Sequence, residues 1–278
     1  MSLKEAISKR RSTRTYLKES FGLTETNEIS AVILKNQSVV GPFDHSFDLT
    51  FNINDEKVVD GKKISTYGLL KNVPSFIGGV SDNTFESLVD FGYIFERTIL
   101  DLTTLGYDTC WLGGTFKRKH YFQELKDNRI IPAISPVGHK AKKRSLVDRT
   151  IRNVAQSTTR LPLNELFKDI EDRPIISNIS YPIIDSLSLV RVAPSASNKQ
   201  PWRAIVDEKR KSIHFYLLRN EGYGETLKYD IQALDIGIAL CHFEIGLESH
   251  HMKYRQVVQD DYPIYSEAQY VISYKLGK

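Results

Sequence analysis

Apolar positions in the first residues fall one helical turn apart at Leu3, Ala6 and Ile7, behind Ser2 and Glu5 in capping-box spacing. This predicts a short helix ending near Arg11, in the basic run that starts at Lys9. Helical spacing returns over 25–35, and strand-like stretches follow over 47–53 and, after Pro74, over 75–80. The segment 83–105, NTFESLVDFGYIFERTILDLTTL, is apolar around most of its circumference and stops at Gly106, so it predicts a buried central helix. GYDTCWLGGTF then predicts a strand or turn with paired glycines, followed by a short helix over 120–126 and the stretch RIIPAISPVGHKAKKR. Later an apolar helical run leads into RVAPSASNKQPWRAIV at 191–206, a polar turn before a short strand, whose composition predicts a ligand loop.

The second half of the pattern replays the first. LDIGIALCHFEIGLES from Leu234 aligns with VDFGYIFERTILDLTT from Val89 at a constant offset of 145 positions, keeping Asp-x-Gly at Asp90/Gly92 and Asp235/Gly237. VVGPFDHSFDLTF from Val39 stands in the same relative place as VAPSASNKQPWRAIV from Val192, with a few residues inserted. Two core helices of one protein often look alike, but here helix and loop, strand, and long buried helix recur in the same order. Duplication is therefore expected, with halves over 1–160 and 161–278 and a seam within 149–172.

Composition narrows the class without naming it. A chain of 278 residues with 41% hydrophobic and 26% charged residues is long enough for one large domain or two small ones. Its net charge of +4 suits an anionic ligand and gives little support to a nucleic-acid partner. The two cysteines, Cys110 and Cys241, form neither a metal-ligand spacing nor a disulfide framework, which points to a reducing cytoplasm. MSLKEAISKRRSTR lacks the apolar stretch of a signal peptide and no window is long enough to span a bilayer, so no membrane partner is expected.

Candidate chemistry lies in four segments. KRRSTR offers Arg10, Arg11, Ser12 and Arg14, charged donor forks and a hydroxyl suited to a phosphate, although arginines at a helix C-terminus also satisfy the helix dipole. KAKKRSLVDR adds Lys140, Lys142, Lys143, Arg144 and Arg149, with no interleaved aromatics for base stacking. Ser195, Ser197 and Asn198 stand as compact donors between Pro194 and Pro201, outside any G-x-S-x-G context. In CWLGG, Gly113 and Gly114 permit close backbone approach to a flat ligand, and Cys110 reads as a small buried hydrophobe. His242, His250 and His251 match no standard metal spacing, and EGYGETL lacks the third glycine of a dinucleotide fingerprint.

In this order, RRSTR, GYDTCWLGG, SPVGHKAKKR and APSASNKQPW resemble the signature segments of the nitroreductase family of FMN-dependent oxidoreductases. In the usual member the Ser-Asn-Gln-Pro-Trp loop comes early and FMN lies at a homodimer interface. Here that loop begins at Pro194, so the resemblance is to the single-chain, tandem-half branch called putative TM nitroreductases. It implies an α+β nitroreductase fold, mixed sheets flanked by helices, with two fused halves mimicking the homodimer. It further implies one FMN completed within one chain, NADH or NADPH as reductant, and a small electron-poor acceptor such as a nitroaromatic or quinone.

By the same resemblance Arg10, Arg11, Ser12 and Arg14 would hold the phosphate, ribityl and pyrimidine end, joined at the phosphate by Arg144 and either Lys142 or Lys143. Pro194, Ser195, Ala196 and Asn198 would approach from the second half. The backbone at Leu112, Gly113 and Gly114 would face the flavin, with the glycine N–H groups toward N5 and O4, and no side chain would act as acid, base or nucleophile. Gly113 departs from the acidic residue some members carry there. The mirror-image site would be dead, because ELFKDIEDRP places Glu165, Asp169, Glu171 and Asp172 where arginines are needed, and GPFDHSF and ESHHMKY replace the loop and the double glycine. The alternative is a non-catalytic flavin-binding or ligand-sensing module of the same fold.

Overall fold

The computed structural model describes residues 1–53, 66, 69–118, 125, 128–142, 159–175 and 179–277. Helix α1 (Leu3–Lys9) starts at Ser2, whose hydroxyl accepts the Glu5 amide at 3.2 Å while the Glu5 carboxylate accepts the Ser2 amide at 2.8 Å. It stops two residues before Arg11, because Arg10 turns extended at ψ 133°. The chain then runs along the first sheet: the Thr13 amide donates to Thr109 O at 2.9 Å, and Thr15 and Tyr16 bridge to Lys71 and Lys140. The arginine motif is thereby held on a stretched backbone, with fully buried Tyr16 as its anchor.

Helix α2 (Leu23–Gln37) follows, then β1 (Leu49–Ile53), β2 (Ser75–Gly79), β3 (Ser81–Asp82), α3 (Phe85–Thr104), β4 (Asp108–Thr109), β5 (Arg129–Ile130) and β6 (Ile134–Gly138). Strands β1-β2-β6-β4 form an antiparallel sheet, and β3 pairs with β5. The first strand opens two residues later than its pattern suggests, since Phe47 is buried from the preceding loop. The short helix expected over 120–126 lies outside the described residues, Leu125 excepted.

After residue 159 come α4 (Leu163–Leu166), β7 (Phe167–Asp169), α5 (Tyr181–Arg191), β8 (Trp202–Asp207), β9 (Ser212–Leu217), α6 (Ile231–Ser249), β10 (Tyr254–Val257) and β11 (Gln269–Leu276). These strands form a second sheet in the order β10-β11-β9-β8-β7, antiparallel except for the parallel pair β7–β8. The architecture is α+β, with mixed sheets flanked by helices.

Helices α3 and α6 cross at the centre, each buried along most of its length, as apolar residues on nearly every side require. Thr84 caps α3 and Gly106, at φ +94°, closes it in the left-handed conformation that glycine tolerates. The crossing is close enough to need glycine on both helices. A Cβ on Gly92 would overlap the Leu234 carbonyl oxygen, and one on Gly237 would overlap the Val89 carbonyl oxygen. Val89 and Leu234 are separated by the same 145 positions as Gly92 and Gly237, so each helix's glycine meets a carbonyl of the other in a reciprocal contact. Each of the paired aspartates accepts from loop backbone: Asp90 from the Phe43 and His45 amides at 2.9 and 3.0 Å, and Asp235 from the Ala196 amide at 2.9 Å. Asp90 ties down the loop before β1 and Asp235 the loop before β8.

Cys110 and Cys241 are free and buried. His250 faces Asp185 of α5 at 2.7 Å. Among the described residues no helix is long and apolar enough to cross a membrane.

Candidate functional site

The loop between α5 and β8 is held in an unusual shape. Ser197, Asn198 and Gln200 have φ of 47°, 59° and 50°, conformations that cost non-glycine residues free energy unless their surroundings fix them. The surroundings do so. The Gln200 amide donates to Ser195 Oγ at 2.9 Å, Asn198 N to Ser195 O at 3.0 Å, and the Tyr223 hydroxyl to Ser197 Oγ at 2.9 Å. Asn198 Nδ2 donates to Thr159 O at 2.9 Å and its Oδ1 accepts from Arg160 Nη1 at 2.9 Å. Fully buried Trp202 anchors the exit.

This loop faces the arginine motif across a cleft of about 170 Å³ walled by Arg10, Ser12, Arg14, Trp111, Gly113, Arg160, the loop from Pro194 to Asn198, and Ile231, Leu234, Asp235 and Ile238 of α6. An adjoining space of about 360 Å³ shares Arg10, Ser12, Arg14, Arg160 and Pro194 and adds Arg11, Val192 and His242. That volume alone lies within the roughly 300–1,000 Å³ of small-molecule sites.

The arginine end of the cleft concentrates positive charge. Arg160 is held below its ordinary pKa first by burial, then by the charges of Arg10, Arg191 and Arg11. Arg10 Nη1 is buried with no hydrogen-bond partner among the described residues. Guanidiniums crowded together at a cost, one with an unmet donor, are resolved by an anion that accepts from several forks at once.

Gly113 of the CWLGG turn packs beside Ile231 of α6 and Tyr229 just before it. A Cβ there would lie 2.9 Å from Ile231 Cδ1 and 3.1 Å from the Tyr229 hydroxyl, so a larger side chain must displace both. Arg118 fixes the turn by donating to Gly113 O at 2.6 Å and to Ile131 O at 2.9 Å. Trp111 is held on the wall by donating to Glu96 at 2.6 Å; Glu96 faces His242 Nε2 at 2.9 Å, and His242 Nδ1 faces Leu189 O at 2.9 Å. A carbonyl only accepts, so Nδ1 carries the hydrogen.

Arg10, Arg11, Ser12, Arg14, Gly113, Pro194, Ser195, Ala196 and Asn198 line these two adjoining spaces. Leu112 instead points into a small core with Tyr16 and Ile134, and Gly114 is exposed beside Leu227. Lys142 is exposed and off the cleft wall, while Lys143, Arg144 and Arg149 lie outside the described residues. Asn198 spends its amide on Thr159 and Arg160 and so positions the loop. Motif reading missed Arg160, although Thr158-Thr159-Arg160 echoes Ser12-Thr13-Arg14 just upstream of the acidic stretch. It also missed the cleft walls on the central helices, which a buried-helix pattern cannot orient.

The fold is that of the nitroreductases. A crystal structure described as a putative nitroreductase from Thermotoga maritima superposes with a TM-score of 0.60 at 18% identity, covering 99% of this chain and 93% of that chain. A nitroreductase family protein from Clostridium novyi gives 0.41 at 18% identity over 54% of this chain and 91% of that chain. A nitroreductase with bound FMN from Bacteroides fragilis gives 0.41 at 17% identity over 52% of this chain and 92% of that chain. No curated protein sequence matches. The family described as Putative TM nitroreductase matches residues 2–247, and the chain belongs to that family.

Proposed function

We propose that this protein is an FMN-dependent oxidoreductase that takes hydride from NADH or NADPH and delivers it to a small electron-poor acceptor, such as a nitroaromatic or quinone. The observation that carries this reading is the facing of the arginine cluster, with the unmet Nη1 donor of Arg10, and the strained loop from Pro194 to Asn198 across one cleft. The donor set fits FMN: guanidiniums for a terminal phosphate at one end, small polar loop groups between, and a glycine turn at the other. Bound flavin supplies hydride acceptance and release at N5. Arg10, Arg14 and Arg160 bind and orient the phosphate end; Ser12 and the loop backbone hold the middle. Gly113 adds no side chain of its own to the cleft, which leaves its backbone to meet the ring.

The site would be completed within one chain, the arginine motif coming from the first half and the loop from the second. The reciprocal Gly92 and Gly237 contacts and the paired Asp90 and Asp235 support a fused pseudodimer. The test is reconstitution. Protein incubated with FMN and freed of excess should retain it stoichiometrically in preference to FAD. Anaerobic NADH or NADPH should then bleach the flavin absorbance, and a quinone should restore it. Retention of FAD instead, or an FMN complex that neither reductant bleaches, contradicts the proposal.

A further inference from the structure

Asp90 and Asp235 occupy equivalent places on the two central helices, but their carboxyls are differently employed. Asp90 accepts the Phe43 and His45 amides, and its Oδ2 also faces His45 Nδ1 at 2.8 Å. Asp235 is 2% exposed and accepts one hydrogen bond, from the Ala196 amide to Oδ1 at 2.9 Å. Its Oδ2 is buried with no partner among the described residues, and the residue stands on the wall of the cleft shared with Arg10, Ser12 and Gly113. A carboxylate sealed from water with one oxygen unmet is costly, and a buried acid so placed keeps its proton. The protonated form gains what the ionised form lacks, an O–H donor.

We propose that Asp235 is held as a neutral carboxylic acid and donates its Oδ2 proton to a hydrogen-bond acceptor of the flavin bound in this cleft, an assignment that rests on the flavin reading above. The groups around it are consistent. Asp230, which caps α6, adds negative charge, and burial and Asp230 together keep the acid well above the usual carboxylate range against the pull of the Ala196 amide. The phenols of Tyr223 and Tyr229 are titratable neighbours of this carboxyl, and Arg10, Arg14 and Arg160 line the same cleft. Keeping Asp235 neutral leaves the arginines as the charge that an anionic, electron-accepting ligand meets.

Infrared difference spectroscopy on the full chain reads the proton directly. Wild type minus Asp235→Asn should show the carbonyl stretch of a protonated carboxyl at neutral pH, and FMN binding should move that band to lower frequency. Asp235→Asn keeps a donor and an acceptor in the same shape and should bind FMN within about threefold of wild type, whereas Asp235→Ala should lose about tenfold or more. If Asp235→Asn fails to fold by circular dichroism, Asp235→Glu assigns the band by displacing it. A missing band, or a band that bound FMN leaves unmoved, overturns the proposal. A wild-type protein that shows the band but takes up no FMN overturns the donation through failure of the flavin reading, and is distinguishable because the acid is still seen protonated.

Discussion

Gly237→Ala tests the helix crossing on which the site is built. The added Cβ would overlap the Val89 carbonyl oxygen and lie 2.7 Å from the Tyr93 nitrogen, both main-chain atoms of α3 that no rotamer change can move aside. Overpacking costs ~1–3 kcal/mol, and a clash with backbone belongs at the upper end. Replacing glycine inside a helix returns about 1 kcal/mol of propensity. The net expectation is a loss of roughly 2 kcal/mol, a fall in Tm of about 4–8 °C for a protein of this size class. Thermal and urea unfolding of the two proteins side by side measures it. An unchanged or raised Tm, the result propensity alone would give, would refute the close crossing and with it the placement of Leu234 and Asp235 on the cleft wall.

Arg10→Ala should weaken FMN binding by about tenfold or more in a fluorescence titration, the loss of roughly 1.5–3 kcal/mol for a charged hydrogen bond, whereas Arg173→Ala, in a surface ion pair with Asp169, should leave it unchanged. Arg160→Ala should weaken FMN in the same way and leave riboflavin, which has no phosphate, unaffected; equal loss for both ligands would remove Arg160 from the anion site. His214, wholly buried on β9, has its pKa lowered to about 4 chiefly by burial. The unfolded chain protonates this residue below about 6.5 and the folded chain resists until about 4, so stability should fall by roughly 3 kcal/mol as pH drops through that window. His214→Gln should flatten that part of a Tm-against-pH profile.

The fold was legible where local chemistry dictates it. Ser2 and Glu5 announce the first cap, and a helix apolar on all sides has to be central, as α3 and α6 are. The recurring Asp-x-Gly was also informative, since its glycines permit the crossing and its aspartates hold the two loops. What the pattern could not convey is direction in space. Leu112 and Gly113 are neighbours in sequence, yet one enters a small core and the other the cleft. The unmet oxygen of Asp235 and the crowding of Arg160 against Arg10 exist only once Asp235 is packed on Ala196, 39 residues away, and Arg160 against Arg10, 150 residues away, as loop topology rather than local propensity determines. Ser197, Asn198 and Gln200 carry left-handed φ without a glycine to mark them.

The most direct test of a single FMN site built within one polypeptide is to mix two defective chains. Arg10→Ala damages the first-half arginine motif, and Asn198→Ala damages the loop that Asn198 ties to Thr159 and Arg160. If each site is completed inside one chain, neither variant can repair the other. Equilibrium dialysis with FMN should give about one flavin per wild-type chain, held even on dilution to monomers, and a mixture that binds no better than the average of the two variants. A mixture that regains wild-type affinity would mean that arginine motif and loop meet across two chains, contradicting the single-chain site.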